Sequence, residues 1–238
     1  MKRETLFNIF ANTALFFALV AISIVSFMPA NKSETTQTAS ARLLAIYEGS
    51  RSGKNVSLMI NVYWGTEFVE QMLEVLKNKG VVTTFFIGGS WAAENEELVK
   101  KISESGHEIA NHGYNHKNHD NLSQDANKSE ISACHAIVKS LLGVEMNLFA
   151  PPSGAYSDAT ISAATSLGYK TIMWTRDTID WRDHNTSLIY QRAISGIKGG
   201  DLILMHPTAN TLAALPQIID TILAKGLTVN TVSNTLQS

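Results

Sequence analysis

A parallel α/β architecture, either a barrel or an open sheet, is what this chain predicts, and two observations carry the prediction. Short β-branched runs alternate with amphipathic helical stretches along most of the chain, and the chemically unusual residues fall where those runs end. In order, residues 56–62 precede a helical stretch at 67–78, 81–87 precede 94–104, and 108–110 precede 123–142. Residues 148–150 then lead to 158–167, 170–174 to 188–197 and 201–205 to 212–225, and the run 227–232 closes the series. Thr66 stands where the first helix needs a cap, with Glu67 in its first turn. About seven βα units of this kind make a parallel sheet, in which functional groups gather at the strand ends. Asn61 and Tyr63 follow the first strand, His112 and His116 the third, and Pro151-Pro152 the fourth. Asp177, Asp180 and Trp181 follow the fifth, and His206 ends the sixth.

The stretch Gly106-His107-Glu108-Ile109-Ala110-Asn111-His112-Gly113-Tyr114-Asn115-His116 places two imidazoles four residues apart after a short apolar segment. Such a pair can close on one metal ion, and a catalytic zinc takes three protein ligands and leaves one position for water. Spacing alone leaves the alternative of two solvated histidines in a polar loop. Convergence of several strand ends on one face favours a site.

Four ordered motifs resemble those of the NodB-homology polysaccharide deacetylases, carbohydrate esterase family 4. His112-Gly-Tyr-Asn-His116 resembles the family's metal motif and Phe149-Ala-Pro-Pro-Ser-Gly-Ala155 its Arg-Pro-Pro-Tyr-Gly loop. Asp177-Thr-Ile-Asp-Trp181 resembles Asp-x-x-Asp-Trp, and Leu204-Met-His206 resembles Leu-x-His. The resemblance covers residue 57 to the C-terminus and implies an irregular (β/α)7 barrel that hydrolyses N-acetyl groups on peptidoglycan or a related envelope glycan. It implies His112 and His116 as ligands of a divalent metal, zinc in the first place, and His206 as general acid. Asp177 is the first choice for the carboxylate that orients His206 and Asp180 the second. Pro152, Trp181 and Leu204 become substrate-binding, the last two as apolar walls for an acetyl methyl.

The first motif departs from the family. Thr-Phe-Asp-Asp-Gly is set against Met59-Ile60-Asn61-Val62-Tyr63, so the general base is Asn61 and the third metal ligand is Val62. The arginine that orients the base is Ala150. Asn61 cannot take a proton at neutral pH, and loss of positioned acid–base help costs about 10²–10⁴ in rate. Two histidines leave the metal short of a ligand unless water, Asn61 or Glu67 supplies it. Two classes therefore stand: a metal-dependent N-deacetylase, and a catalytically impaired relative that binds glycan or serves assembly. The Tyr63-Trp64-Gly65 version of this loop resembles the sporulation-associated, YlxY-like branch of the family, which implies a role in spore cortex or coat assembly.

Residues 6–28 form an apolar run behind Met1-Lys2-Arg3, and a bilayer needs roughly 20 residues. The basic flank puts the domain outside a bacterial cell membrane, and the lack of a good small-x-small site after the run, where Met28-Pro29-Ala30 stands, favours an uncleaved N-terminal anchor over residues 1–30; cleavage would make the protein secreted. Residues 31–42 are polar and Ser/Thr-rich, a flexible stalk, and 43–238 form one domain. A single cysteine, Cys134, excludes a disulfide framework within the chain. A net charge of −2 without a basic stripe gives no footprint for nucleic acid.

Overall fold

A computed structural model describes residues 44–237 of the chain. The apolar run 6–28 and the stalk 31–42 lie outside the described residues. Among those described, no helix is long and apolar enough to cross a membrane.

The elements follow the expected alternation: β1 (Asn55–Val62), α1 (Thr66–Asn78), β2 (Thr84–Ile87), α2 (Gly89–Glu94), α3 (Glu96–Glu104) and β3 (Glu108–Asn111). Then come α4 (Gln124–Leu142), β4 (Leu148–Phe149), α5 (Asp158–Ser166), β5 (Lys170–Thr171) and β6 (Arg176–Asp177). The described chain ends with α6 (Thr186–Ile194), β7 (Leu202–Met205), α7 (Ala209–Ala224), β8 (Thr228–Val229) and α8 (Val232–Gln237). Several expected elements are split or shortened: the run 81–87 is a strand only over Thr84–Ile87, and 170–174 only over Lys170–Thr171, with a further short strand at Arg176–Asp177. The helix expected over 94–104 is interrupted at Asn95, and the closing run becomes β8 followed by α8.

The pairs are all parallel, in the order β5-β4-β3-β2-β1-β7-β6, with β8 against the start of β1. The expected seven-unit barrel is therefore a curled half-barrel whose ladder stays open between β5 and β6. Only residues 172–175 join those two strands. A parallel neighbour needs a crossover of a dozen or more residues, so this link crosses the open side and leaves β5 and β6 on opposite edges. Ile46 adds one parallel bridge beside it, to Ile172.

Strand parity divides the interior into two layers. Val56, Leu58, Ile60 and Val62 of β1 join the apolar faces of the helices in the outer core. Met59 faces inward with Phe86, Ala110, Leu148, Ala150, Ile172, Leu202 and Val232. This alternation decides the fate of the rewritten motif: Asn61 shares the inward face with Met59, and Val62 is fully buried beside the helices.

Candidate functional site

The C-terminal ends of β1, β3, β6 and β7 surround a cleft of about 330 Å³ lined by Asn61, Trp64, His116, Ser153, Gly154, Trp174, Asp177, Trp181, Leu204 and His206. Asn61, His116, Asp177, Trp181, Leu204 and His206 were expected there; Trp64 and Trp174 were not assigned to a site. His112, Val62, Ala150 and Pro152 are not among the lining residues, and each is buried.

The cleft backbone is strained. The three non-glycine residues of positive φ among those described are His116 (52°), Ser153 (56°) and Ile179 (54°), all at or beside the cleft. Each such conformation costs roughly 1–3 kcal/mol, and it is least natural for a β-branched residue. At Ile179 the consequence is visible. Its N–H donates to Asp177 Oδ1 at 2.8 Å, while the next residue, Asp180, turns inward to His206.

That turn corrects the choice of partner for His206. Asp180, not Asp177, receives the His206 Nδ1–H at 2.8 Å on Oδ1 and the His206 backbone N–H at 2.7 Å on Oδ2. Thr211 Oγ1, in the first turn of α7, donates to the same Oδ2 at 2.5 Å. Burial opposes the ionised form of Asp180, but the bonds from His206 and Thr211 outweigh it and hold the carboxyl below its ordinary value. Because a carboxylate only accepts, the His206 Nδ1 that faces Asp180 carries a proton. Asp177 lines the cleft instead, where burial raises its pKa.

On the opposite side, His112 Nδ1–H donates to Ala150 O at 2.8 Å, which leaves the Nε2 lone pair of this buried imidazole free. His116 lies edge-on to it, ring centroids 5.1 Å apart, and packs on Tyr63 at 4.9 Å. Burial, and for His112 also the neighbouring His116, pushes both pKa values down, so both rings are neutral. Glu130 holds the loop between them and the next helix: its Oε2 accepts the N–H groups of Tyr114 (3.1 Å) and Asn115 (2.7 Å), and Lys117 pairs with Oε1 at 2.8 Å. Nothing in the sequence singled out Glu130; a buried carboxylate on a helix face is legible only once its loop partners are known. His107 and His119 are buried packing residues, as expected of histidines outside the motifs.

His112 turns Nε2 away from Ala150 and His116 lies beside it, but the third position is apolar Val62, buried away from the cleft. Among the described residues, no three His, Cys, Asp or Glu side chains form a metal-holding group. Glu67, the possible substitute, lies in a neighbouring groove beyond the shared wall of Trp64 and Trp181. It sits in the first turn of α1, whose cap is Gly65; Thr66 Oγ1 accepts from Trp91 Nε1 at 2.9 Å instead of capping. The residues present do not fit a three-ligand catalytic zinc.

Beside His206 the cleft is walled by aromatic side chains, Trp64, Trp174 and Trp181. The Trp64 indole stacks on His206 with centroids 5.5 Å apart and planes 10° from parallel. Gly65 makes this possible: at φ 74°, any Cβ there would stand 2.0 Å from Pro207 O, so only glycine lets the β1 loop approach the residue after His206. Gly154, φ 66°, similarly seats the Trp174 ring, which a Cβ would meet at 2.7 Å. Trp64 and Trp181 remain 41% and 52% exposed, a large apolar area held open at a cleft mouth.

Comparison with known proteins matches residues 48–172 to the family model described as polysaccharide deacetylase. The uncharacterised protein YlxY of Bacillus subtilis is 39% identical over 79% of this chain; the match spans 59% of the length of YlxY. A peptidoglycan-N-acetylglucosamine deacetylase of Bacillus cereus is 31% identical over 71% of this chain and 82% of its own. Among solved structures, a protein of Bacillus anthracis described as a CE4 family pseudoenzyme superposes with a TM-score of 0.79 at 36% identity, covering 81% of this chain and 69% of its own. A mutant of that protein, described as having restored enzymatic activity, superposes with the same TM-score at 34% identity, covering 81% of this chain and 71% of its own.

Proposed function

The chain belongs to the polysaccharide deacetylase family, and from that premise we propose that it binds N-acetylated cell-envelope glycan, of the peptidoglycan class, without hydrolysing it. The observation that carries the reading is the end of β1. Asn61 stands on the cleft side where the family has its base, and Val62 is sealed in the outer core where the family has a metal ligand. Amide hydrolysis in this family needs a polarised carbonyl, a base for the water and an acid for the amine. Asn61 removes the base, and two histidines do not complete the ligand set. Likeness to a Bacillus anthracis pseudoenzyme supports the loss of turnover, and likeness to a peptidoglycan deacetylase supports the class of glycan.

The remaining residues have binding work. Trp64, Trp174, Trp181 and Leu204 offer flat apolar walls to sugar rings and acetyl methyls. Asp177 accepts hydrogen bonds from sugar hydroxyls, and the His206 ring lies beside it in the cleft lining. The apolar run 6–28 supports placing the cleft on the outer side of the cell membrane.

A second reading, slow hydrolysis, is favoured by His112 and His206, both present and both oriented through Nδ1. One experiment separates them. The detergent-solubilised full chain, loaded with zinc, is incubated with purified N-acetylated peptidoglycan, and both co-sedimentation and released acetate are measured. Co-sedimentation with acetate at the protein-free level is expected; acetate rising with time and protein concentration would overturn the proposal.

A further inference from the structure

We propose that His135, on α4 and outside the cleft lining, is a proton-sensitive positioning residue for the loop that carries His112 and His116: with one ring proton it completes a hydrogen-bond chain that holds the loop, and a second ring proton breaks that chain. The inference stands apart from the glycan-binding reading.

The chain runs from the surface to the loop. His135 Nε2 faces Glu145 Oε2 at 2.9 Å, and its Nδ1 faces the Tyr169 hydroxyl at 2.5 Å. Asn111 Nδ2 donates to that hydroxyl at 3.3 Å, and Asn111 Oδ1 accepts the Gly113 N–H at 2.9 Å. Glu145 is exposed and His135 partly so, whereas Tyr169 and Asn111 are buried. A proton from solvent therefore reaches one end, and Gly113, next to His112, stands at the other. His116 of the same loop lines the cleft.

Each link has a fixed direction. The bonds from Lys139 and His135 hold the Glu145 carboxyl below its ordinary range, so it accepts and His135 Nε2 carries the proton. In the singly protonated ring Nδ1 is then a lone pair, and it takes the Tyr169 O–H. Burial pushes the Tyr169 phenol up to about 12, so that hydrogen is present at neutral pH. The Asn111 N–H₂ is shared between Tyr169 and the Ile131 carbonyl, the latter at 2.8 Å, which leaves its oxygen for Gly113.

A second proton on His135 puts a donor on Nδ1, aimed at Tyr169. The phenol must turn its own hydrogen away, and its other neighbour in the chain is the Asn111 N–H₂, also a donor. Reversing the Asn111 amide would accept the phenol hydrogen but set N–H₂ against the Gly113 N–H. Every arrangement strands one buried donor, which is costly, and release of Tyr169 and the loop relieves it. Opening is thus linked to proton uptake, and acid favours it. Besides Glu145 and Lys139, the Cys134 thiol faces the chain, and burial pushes it up to about 12, so it does not titrate with the imidazole. Glu130 holds the same loop through Tyr114 and Asn115 and is the rival source of acid sensitivity.

Hydrogen exchange of the detergent-solubilised full chain, read by mass spectrometry at pH 7.5 and pH 5.5, tests this, with protection of segment 113–115 taken relative to that of β7. The expected result is relative protection about tenfold lower at pH 5.5, the weight of one stranded donor. Tyr169→Phe, which cuts the chain, should lower protection similarly at pH 7.5 and remove the pH dependence. His135→Asn, whose Oδ1 replaces Nδ1 as acceptor and takes no proton, should keep full protection at both pH values. Equal relative protection of the unaltered chain at the two pH values would overturn the inference, even where a variant fails to fold. A tenfold fall that persists in His135→Asn would overturn it in favour of Glu130. Full protection of Tyr169→Phe at pH 7.5 would overturn the link from Tyr169 to the loop, and the inference with it.

Discussion

The two sides of the cleft have had different histories. On the β7 side, His206, Asp180 and Thr211 form a closed set in which three donors meet one buried carboxylate. On the β1 side, Asn61 has an oxygen without a partner, Val62 lies in the apolar core, and neither side chain carries a charge. The difference teaches that a retained histidine is weak evidence of retained catalysis. Asp180 ties the end of β7 to the first turn of α7, and His112 ties β3 to Ala150 after β4, so both imidazoles have structural duties. The structure gives each a bond to keep, His112 to the Ala150 carbonyl and His206 to Asp180.

If only the β1 side is lost, restoring it should have the largest effect. Asn61→Asp with Val62→Asp and Ala150→Arg, assayed with zinc on acetylated chitooligosaccharide, should raise acetate release by at least about 10²-fold, while each single change does little. No gain from the triple variant would mean that the β7 side has drifted too. Next in size is damage to the closed side. Asp180→Ala strands the His206 and Thr211 donors in a buried site and should lower unfolding free energy by roughly 3–5 kcal/mol. Urea denaturation measures it, and a loss under 1 kcal/mol would remove the structural explanation for keeping His206.

Acid provides a third, smaller contrast. Burial lowers the pKa of His107 to about 4 and also lowers those of His112 and His116, whose neutral rings lie on the β1 side or beneath it. The unfolded chain takes up these protons near pH 6.5, whereas the folded chain does not. Stability is therefore full above about 6.5 and falls as pH drops towards 4, by at most about 1.4 kcal/mol per pH unit for each such histidine. Urea midpoints at pH 7 and pH 5 should show the fall, and His107→Gln should shrink it. His107 Nδ1 accepts the Thr83 N–H at 3.2 Å, a bond that protonation would break. The smallest effect is at the wall: Trp181→Ala should weaken glycan binding by about five- to tenfold in co-sedimentation with peptidoglycan.

Much of this was legible in the chain because period reports burial. The alternation of apolar runs and helical stretches gives the βα series, and parity along β1 puts Asn61 and Val62 on opposite faces. What escaped depends on distant segments. Preference for Asp177 over Asp180 fails because the positive φ of Ile179 redirects the chain, and no propensity announces a β-branched residue in that conformation. The stack of Trp64 on His206 depends on Gly65 meeting Pro207, a contact between strands far apart in sequence. The open ladder escaped because β5 and β6 are two residues each, too short to show a period.

The most direct test of the central claim, that the β1 side no longer completes a metal site, is the zinc content of the full chain after loading and desalting, measured beside His112→Ala. The account predicts well under one zinc per chain and no difference between the two proteins. One tightly held zinc per chain that disappears in His112→Ala would contradict it, because another group would then have taken the place of the lost carboxylate.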